Sequence, residues 1–171
     1  MPEGWRLEES ELRVARRWTE AAALIRQAID QGDMSARVML ATMGTKAGLS
    51  RAEVDQILAE VESEMDPNDI ETHLELQDAY DRRLGNLPYE IRARKCFEHL
   101  LKAVELGAGP VHTLALATIY AMGATEVKPN PTEAIRWYKR AIEQGSIDAA
   151  DRLQKYYRYL ERKQSESPDK Q

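Results

Sequence analysis

A chain of 171 residues with 43% apolar side chains has enough material for a sizeable buried core, as one domain or one short solenoid. Its formal charge of -5 is unevenly spread: residues 1–90 carry ten Lys or Arg against nineteen Asp or Glu, and residues 91–171 carry fourteen against ten. The acidic excess repels a phosphate backbone and so disfavours nucleic acid as a partner, the single Cys96 excludes an internal disulfide, and no stretch approaches the roughly eighteen apolar residues of a membrane span.

The opening, from Met1 to about Ser10, is polar apart from Trp5 and Leu7 and reads as an arm or the start of a helix. Its acids and arginines stand where a signal peptide would carry an apolar core, which points to a cytoplasmic setting. From Glu11 to Gln31, residues Leu12, Trp18, Ala21, Ala22, Leu24, Ile25, Ala28 and Ile29 recur at helical spacing, and Gly32 offers a stop. A second helix is predicted from about Asp33 or Met34 toward Gly44 or Gly48. Ser50 followed three residues later by Glu53 is a capping box, each side chain satisfying a free amide of the other, and it opens a third helix that runs to about Met65.

Asp66, Pro67, Asn68 and Asp69 then punctuate the chain before Ile70, Leu74, Leu76, Ala79 and Tyr80 resume the helical period. Gly85 and Pro88 mark the next break, and a long helix follows from about Tyr89 to Leu106. A sixth helix starts near Pro110 and ends before Gly123, a seventh follows Pro131 and ends at Gly145, and an eighth runs from about Ile147 through Leu160. Ser165 to Gln171 read as a fraying tail. Seven or eight helices joined by short breaks cannot bury their apolar stripes singly, so chain neighbours pair antiparallel in an all-α fold.

The chain also repeats itself. Glu133, Ala134, Trp137, Tyr138, Ala141, Gly145, Ala149 and Leu153 keep the offsets of Glu20, Ala21, Leu24, Ile25, Ala28, Gly32, Ala36 and Leu40, and a middle copy reads Cys96, His99, Leu100, Ala103, Gly107, Val111 and Ala115. Small Ala residues allow close helix approach, the larger ones fill the layer between hairpins, and Gly turns the corner. Units of this kind are stabilised by their neighbours, as in a solenoid.

The segment Tyr120 to Leu153, with Tyr120, Gly123, Val127, Asn130, Ala134, Trp137, Tyr138, Ala141 and Gly145 in place, resembles a unit of the Sel-one-like repeat family, relatives of the tetratricopeptide repeats. The resemblance implies a short right-handed solenoid of stacked antiparallel helix pairs, irregular in its first half, and a noncatalytic adaptor or scaffold, often bacterial. On this reading one repeat domain covers 11–164, with units near 11–48, 68–109 and 110–162, an inserted helix at 50–65 and a tail at 165–171.

Recognisable chemistry is sparse. His73, His99 and His112 lack metal-ligand spacing, no Gly-rich phosphate loop is present, and Asp66, Asn68 and Asp69 lack the Gly and distal Glu of a calcium loop, so neither metal nor cofactor is expected. Glu71 and Glu75 share one helix face within an acidic run, residues 47–81, and read as solvated charge. The rival to a scaffold is a small hydrolase or transferase whose polar site lies between helices near Glu71, Glu75, Cys96 and His99. The candidate partner-binding residues are Arg92, Lys95, His99 and Lys102 on one helix and Arg136, Lys139 and Arg140 on the corresponding helix one repeat later, a basic face suited to an acidic protein or peptide. Self-association as a homodimer is the second expectation, because the two halves differ in charge.

Overall fold

The computed structural model describes residues 4–82, 85–125 and 127–166, and among them nine α-helices and one short 3-10 turn account for the regular structure, with a lone β-bridge between Ala124 and Val127 and no sheet. The helices are α1 Gly4–Val14, α2 Trp18–Asp30, α3 Met34–Met43, α4 Arg51–Glu64, α5 Ile70–Asp81, α6 Tyr89–Leu106, α7 Pro110–Met122, α8 Pro131–Glu143 and α9 Ile147–Ser165. The chain divides into two compact units, residues 1–103 and 104–171. The fraying tail expected at 165–171 lies, from residue 167 on, outside the described residues.

In the first unit the opening segment is a folded helix. Trp5 and Glu9 of α1 are buried, and Trp5 packs into a cluster with Ala21, Ala22, Ile25 and Ala28 of α2 and Ala36, Leu40 and Met43 of α3. The single helix expected over Glu11–Gln31 is two, broken at Arg16, whose φ of 57° is left-handed. Arg17 N–H donates to the Leu12 carbonyl across that bend. A side chain with a Cβ in this conformation costs about 1 kcal/mol, and no Gly or Pro marks the spot, which is why periodicity runs straight through it.

Helix α3 is buried on two sides. Ala36, Leu40 and Met43 face the first cluster, while Val38 and Ala41 join Val54, Leu58 and Val61 of α4 and Leu76, Ala79 and Tyr80 of α5 in a second. The Ser50–Glu53 capping box at the start of α4 is formed in full, and Asp69 caps α5 through the amides of Glu71 and Thr72.

The second unit is built from α7, α8 and α9 with the last residues of α6. Leu116, Ala117 and Ala121 of α7, Ala134, Trp137, Tyr138 and Ala141 of α8, and Ala149, Leu153 and Tyr156 of α9 are buried. Helix α8 packs on both α7 and α9, and the Tyr138 and Tyr156 rings lie 6.1 Å apart, a tilted aromatic pair.

The two outer copies of the repeat are the same object. Ala21, Ile25, Ala28, Ala36 and Leu40 are buried, as are their counterparts Ala134, Tyr138, Ala141, Ala149 and Leu153. Their corners also match: Gly32 and Gly145 have φ of 89° and 94°, and the next amides, Asp33 and Ser146, donate to Ala28 and Ala141 five residues back at 3.0 and 2.9 Å. This is the helix end that a left-handed glycine makes possible.

The middle copy departs after its corner. Val111, expected in the packed layer, is 74% exposed, and Ala115 is exposed too, whereas Leu116 is fully buried. Helix α7 begins three residues after Gly107, while α3 and α9 begin two residues after Gly32 and Gly145. One extra corner residue rotates the following helix by about 100°, the angle per residue of an α-helix.

Candidate functional site

Two polar assemblies stand out, one in each unit. In the second unit a groove of about 680 Å³ is lined by Val104, Glu105 and Gly107 from the end of α6 and the 107 corner, and by Thr132, Ile135, Arg136, Trp137, Lys139, Arg140 and Glu143 from α8. Arg136, Lys139 and Arg140 are all exposed, so α8 presents three cations along one wall. Arg136 stacks over the Trp137 ring at 4.5 Å and donates to Glu133 at 3.3 Å, and Arg140 reaches Glu143 at 3.5 Å. Lys139 forms no ion pair among the described residues. These are surface pairs of adjacent turns, which contribute little and open readily to a competing carboxylate. The other wall is formed by Val104, Glu105 and Gly107, and the buried Trp137 donates its indole N–H to Glu133 at 3.0 Å.

The basic residues of α6 lie otherwise. Arg92 donates to the carbonyls of Leu87 and Tyr80, both at 3.2 Å, and so caps the last turn of α5. Lys95 and His99 turn to Glu62 of α4, which also accepts the Tyr80 hydroxyl at 2.9 Å and His99 Nε2 at 3.0 Å. Burial alone raises the Glu62 carboxyl, but the hydrogen bonds from His99, Lys95 and Tyr80 outweigh it and hold the group down at about 2. The same carboxylate pushes the Tyr80 hydroxyl up, adding to the effect of burial. Lys102, half-buried on α6, makes no ion pair among the described residues. Arg92, Lys95 and His99 thus have polar atoms committed to the first unit's own scaffold, whereas the three cations of α8 line a groove.

Glu71, Glu75, Cys96 and His99 do not converge. Glu71 and Glu75 line a cavity of about 230 Å³ with Arg13, Met39, Thr42, Leu74, Asp78 and Arg82, and neither Cys96 nor His99 reaches it. The Cys96 thiol accepts from Gln77 at 3.6 Å, and burial pushes it up, away from the thiolate that a nucleophile needs. Among the described residues no group of three His, Cys, Asp or Glu is placed to hold a metal ion.

The solvated-charge reading of Glu75 is overturned. Its side chain is 19% exposed, and burial pushes the carboxyl up to about 8 against the pull of Arg6, 3.4 Å away. Arg6 also bonds Glu71 and Ser35, so α1 is tied to α3 and α5 by one guanidinium. A carboxyl raised in the folded state adds stability that is complete below its unfolded value near 4.5 and is lost as pH rises through 8. Glu75→Gln is therefore expected to flatten the decline in stability from pH 5 to pH 9, and urea unfolding across that range checks it.

A family pattern described as the Sel1 repeat matches residues 92–107 and 114–146. The paired helices define the class, an all-α helical repeat. Within that class, residues 92–107 and 114–146 are similar to the Sel1 repeat. The pattern's loop is visible: Gly123 has φ of 80°, a Cβ there would meet Pro129 at 3.0 Å, and Ala124 and Val127 exchange amide bonds before Asn130 caps α8. Among solved structures, a protective antigen present in uropathogenic Escherichia coli strains and displaying an SLR fold is similar at 22% identity and a TM-score of 0.38, over 82% of this chain. The chain spans 37% of that antigen. No curated protein matches the chain in sequence. Among the described residues no helix is long and apolar enough to cross a membrane.

Proposed function

We propose that the chain is a cytoplasmic adaptor that binds a carboxylate-rich protein segment in the groove along α8, with Arg136, Lys139 and Arg140 as the residues that meet its acids. The observation that carries this reading is the lining of the groove, three exposed cations of α8 with Ile135 beside them, across from Val104, Glu105 and Gly107. Such a site takes an acidic peptide in two ways, by charge-assisted hydrogen bonds to its carboxylates and by burial of an apolar side chain beside them. The cations of α6 are secondary in this proposal, because Arg92, Lys95 and His99 already serve acceptors within the first unit.

The test compares the wild type with a triple variant, Arg136→Glu, Lys139→Glu and Arg140→Glu, on an array of peptides graded in Asp and Glu content. The wild type is expected to retain acidic peptides, less so as salt rises, and the variant to retain them on the order of tenfold less or worse while its helical signal and melting temperature persist. Equal retention of acidic and neutral peptides, or indifference to the charge reversal, overturns the proposal. If sedimentation shows the wild type dimeric and the variant monomeric, the acidic segment belongs to a second copy of the chain.

A further inference from the structure

In the first unit two imidazoles from different helices meet nitrogen to nitrogen, and what lies beyond them counts their protons. His73 Nδ1 of α5 and His99 Nδ1 of α6 are 2.8 Å apart, His73 Nε2 is 3.1 Å from the Pro67 carbonyl oxygen, and His99 Nε2 is 3.0 Å from a carboxylate oxygen of Glu62. A carbonyl and an ionised carboxylate only accept, so both outer nitrogens carry hydrogen. Across the inner gap one nitrogen must donate and the other accept. Three protons on four nitrogens satisfy every contact. Two leave a lone pair facing a lone pair, and four set N–H against N–H. The satisfied pair carries one positive charge, and Glu62 is its counter-ion.

The surroundings decide which ring stays neutral. Burial pushes His73 below the ordinary histidine range, and the charges of His99 and Lys102 add to this, against the pull of the Pro67 carbonyl and Asp69. The titratable groups around the pair are Glu62 from α4, Asp69 from the turn before α5, Tyr80 from α5, and Lys95 and Lys102 from α6. The stack is closed by the Tyr80 ring, nearly parallel to His99 at 5.9 Å.

We infer that the His73–His99 pair is an acid-sensitive joint between α5 and α6: uptake of a fourth proton sets two N–H groups against each other across the contact and loosens α6 from α5. The device makes the packing of this helix pair, and any surface built on it, respond to mild acid. The sign follows from His73. A histidine held below its unfolded value contributes stability that is present above about pH 6.5 and is lost as pH falls through the folded value. Glu75 works in the opposite direction over the same interval, so a plain pH profile of the wild type mixes the two.

Two measurements separate them. Long-range proton–nitrogen spectra of the histidine-labelled full chain at pH 7 are expected to show three protons on the four nitrogens of this pair, with His73 protonated at Nε2. Two neutral rings at that pH overturn the inference, and so does a fully protonated pair that keeps its contact in acid. The second measurement uses His73→Asn, whose Oδ1 stands near the position of Nδ1 and accepts from His99 but never gains a proton. Between pH 7 and 5.5 the folding equilibrium constant of the wild type is expected to fall, relative to that of the variant, by up to about tenfold per pH unit. Both chains keep Glu75 and His112, whose contributions cancel. Parallel profiles overturn the inference, and should the variant fail to fold, the spectra of the wild type decide alone.

Discussion

Glu62→Gln destabilises the first unit by about 2–4 kcal/mol at neutral pH, although the new side chain has the same shape. Glu62 is the one acid that Lys95, His99 and Tyr80 all address, and its side chain is 20% exposed. The amide keeps one acceptor for the Tyr80 hydroxyl but offers an N–H where a cation points. Lys95 and His99 are then left partly buried beside no negative charge, and removing one partner of such a pair costs more than the pair itself contributes. The pH dependence supplies an internal control. Because Glu62 is held at about 2, its contribution is present above its unfolded value near 4.5 and is lost as pH falls toward 2. The gap between wild type and variant in urea unfolding should therefore narrow toward the acid end, as the carboxyl of the unfolded chain takes up its proton first. A gap that stays constant from pH 7 to pH 2.5 would mean that shape, and not charge, supports the network.

Trp137→Ala costs the second unit about 3–5 kcal/mol, the range for deleting a large buried aromatic side chain. Trp137 is 6% exposed and sits on α8 among Ala134, Tyr138 and Ala141. Ala134 and Ala141, about one turn to either side on its own helix, are too small to fill the space that it leaves, and the loss of contact falls on the layer between helices. Trp137→Phe should recover part of the loss, since a ring remains while the bond from the indole N–H to Glu133 is gone. Thermal unfolding followed by helical circular dichroism measures both. Trp137 also lines the groove, so loss of binding in Trp137→Ala reports on folding; the charge reversal at Arg136, Lys139 and Arg140 is the variant that reports on binding.

The sequence carries the helices, their order and the repeat, because these depend on neighbours within a turn or two. The Ser50–Glu53 box, the prolines at the starts of α7 and α8, and the corners at Gly32 and Gly145 are local, and each is found where its residues stand. The matched burial of Ala21, Ile25 and Ala28 with Ala134, Tyr138 and Ala141 follows from spacing alone, since helical residues three and four apart share a face. Trp5 and Arg16 show where local signals end. The helix holding Trp5 reads as a polar arm because its apolar residues are few, and only the packing of that indole on α2 and α3 makes it part of the core.

Which cations serve the fold and which face a groove is decided by the tertiary structure. Lys95 and Arg136 look alike along the chain, each one step from an inward-facing residue of its helix. Lys95 finds Glu62, 33 residues away, and Arg136 pairs with Glu133 of its own helix. Glu62 and Glu75 likewise share one acidic run, yet burial with three donors holds the first at about 2 while burial beside other acids and a more distant guanidinium raises the second to about 8. The period of a helix sets which residues share a face. The rotation of each helix against its neighbours sets what that face meets, and a single extra residue at the Gly107 corner is enough to turn Val111 outward and Leu116 inward.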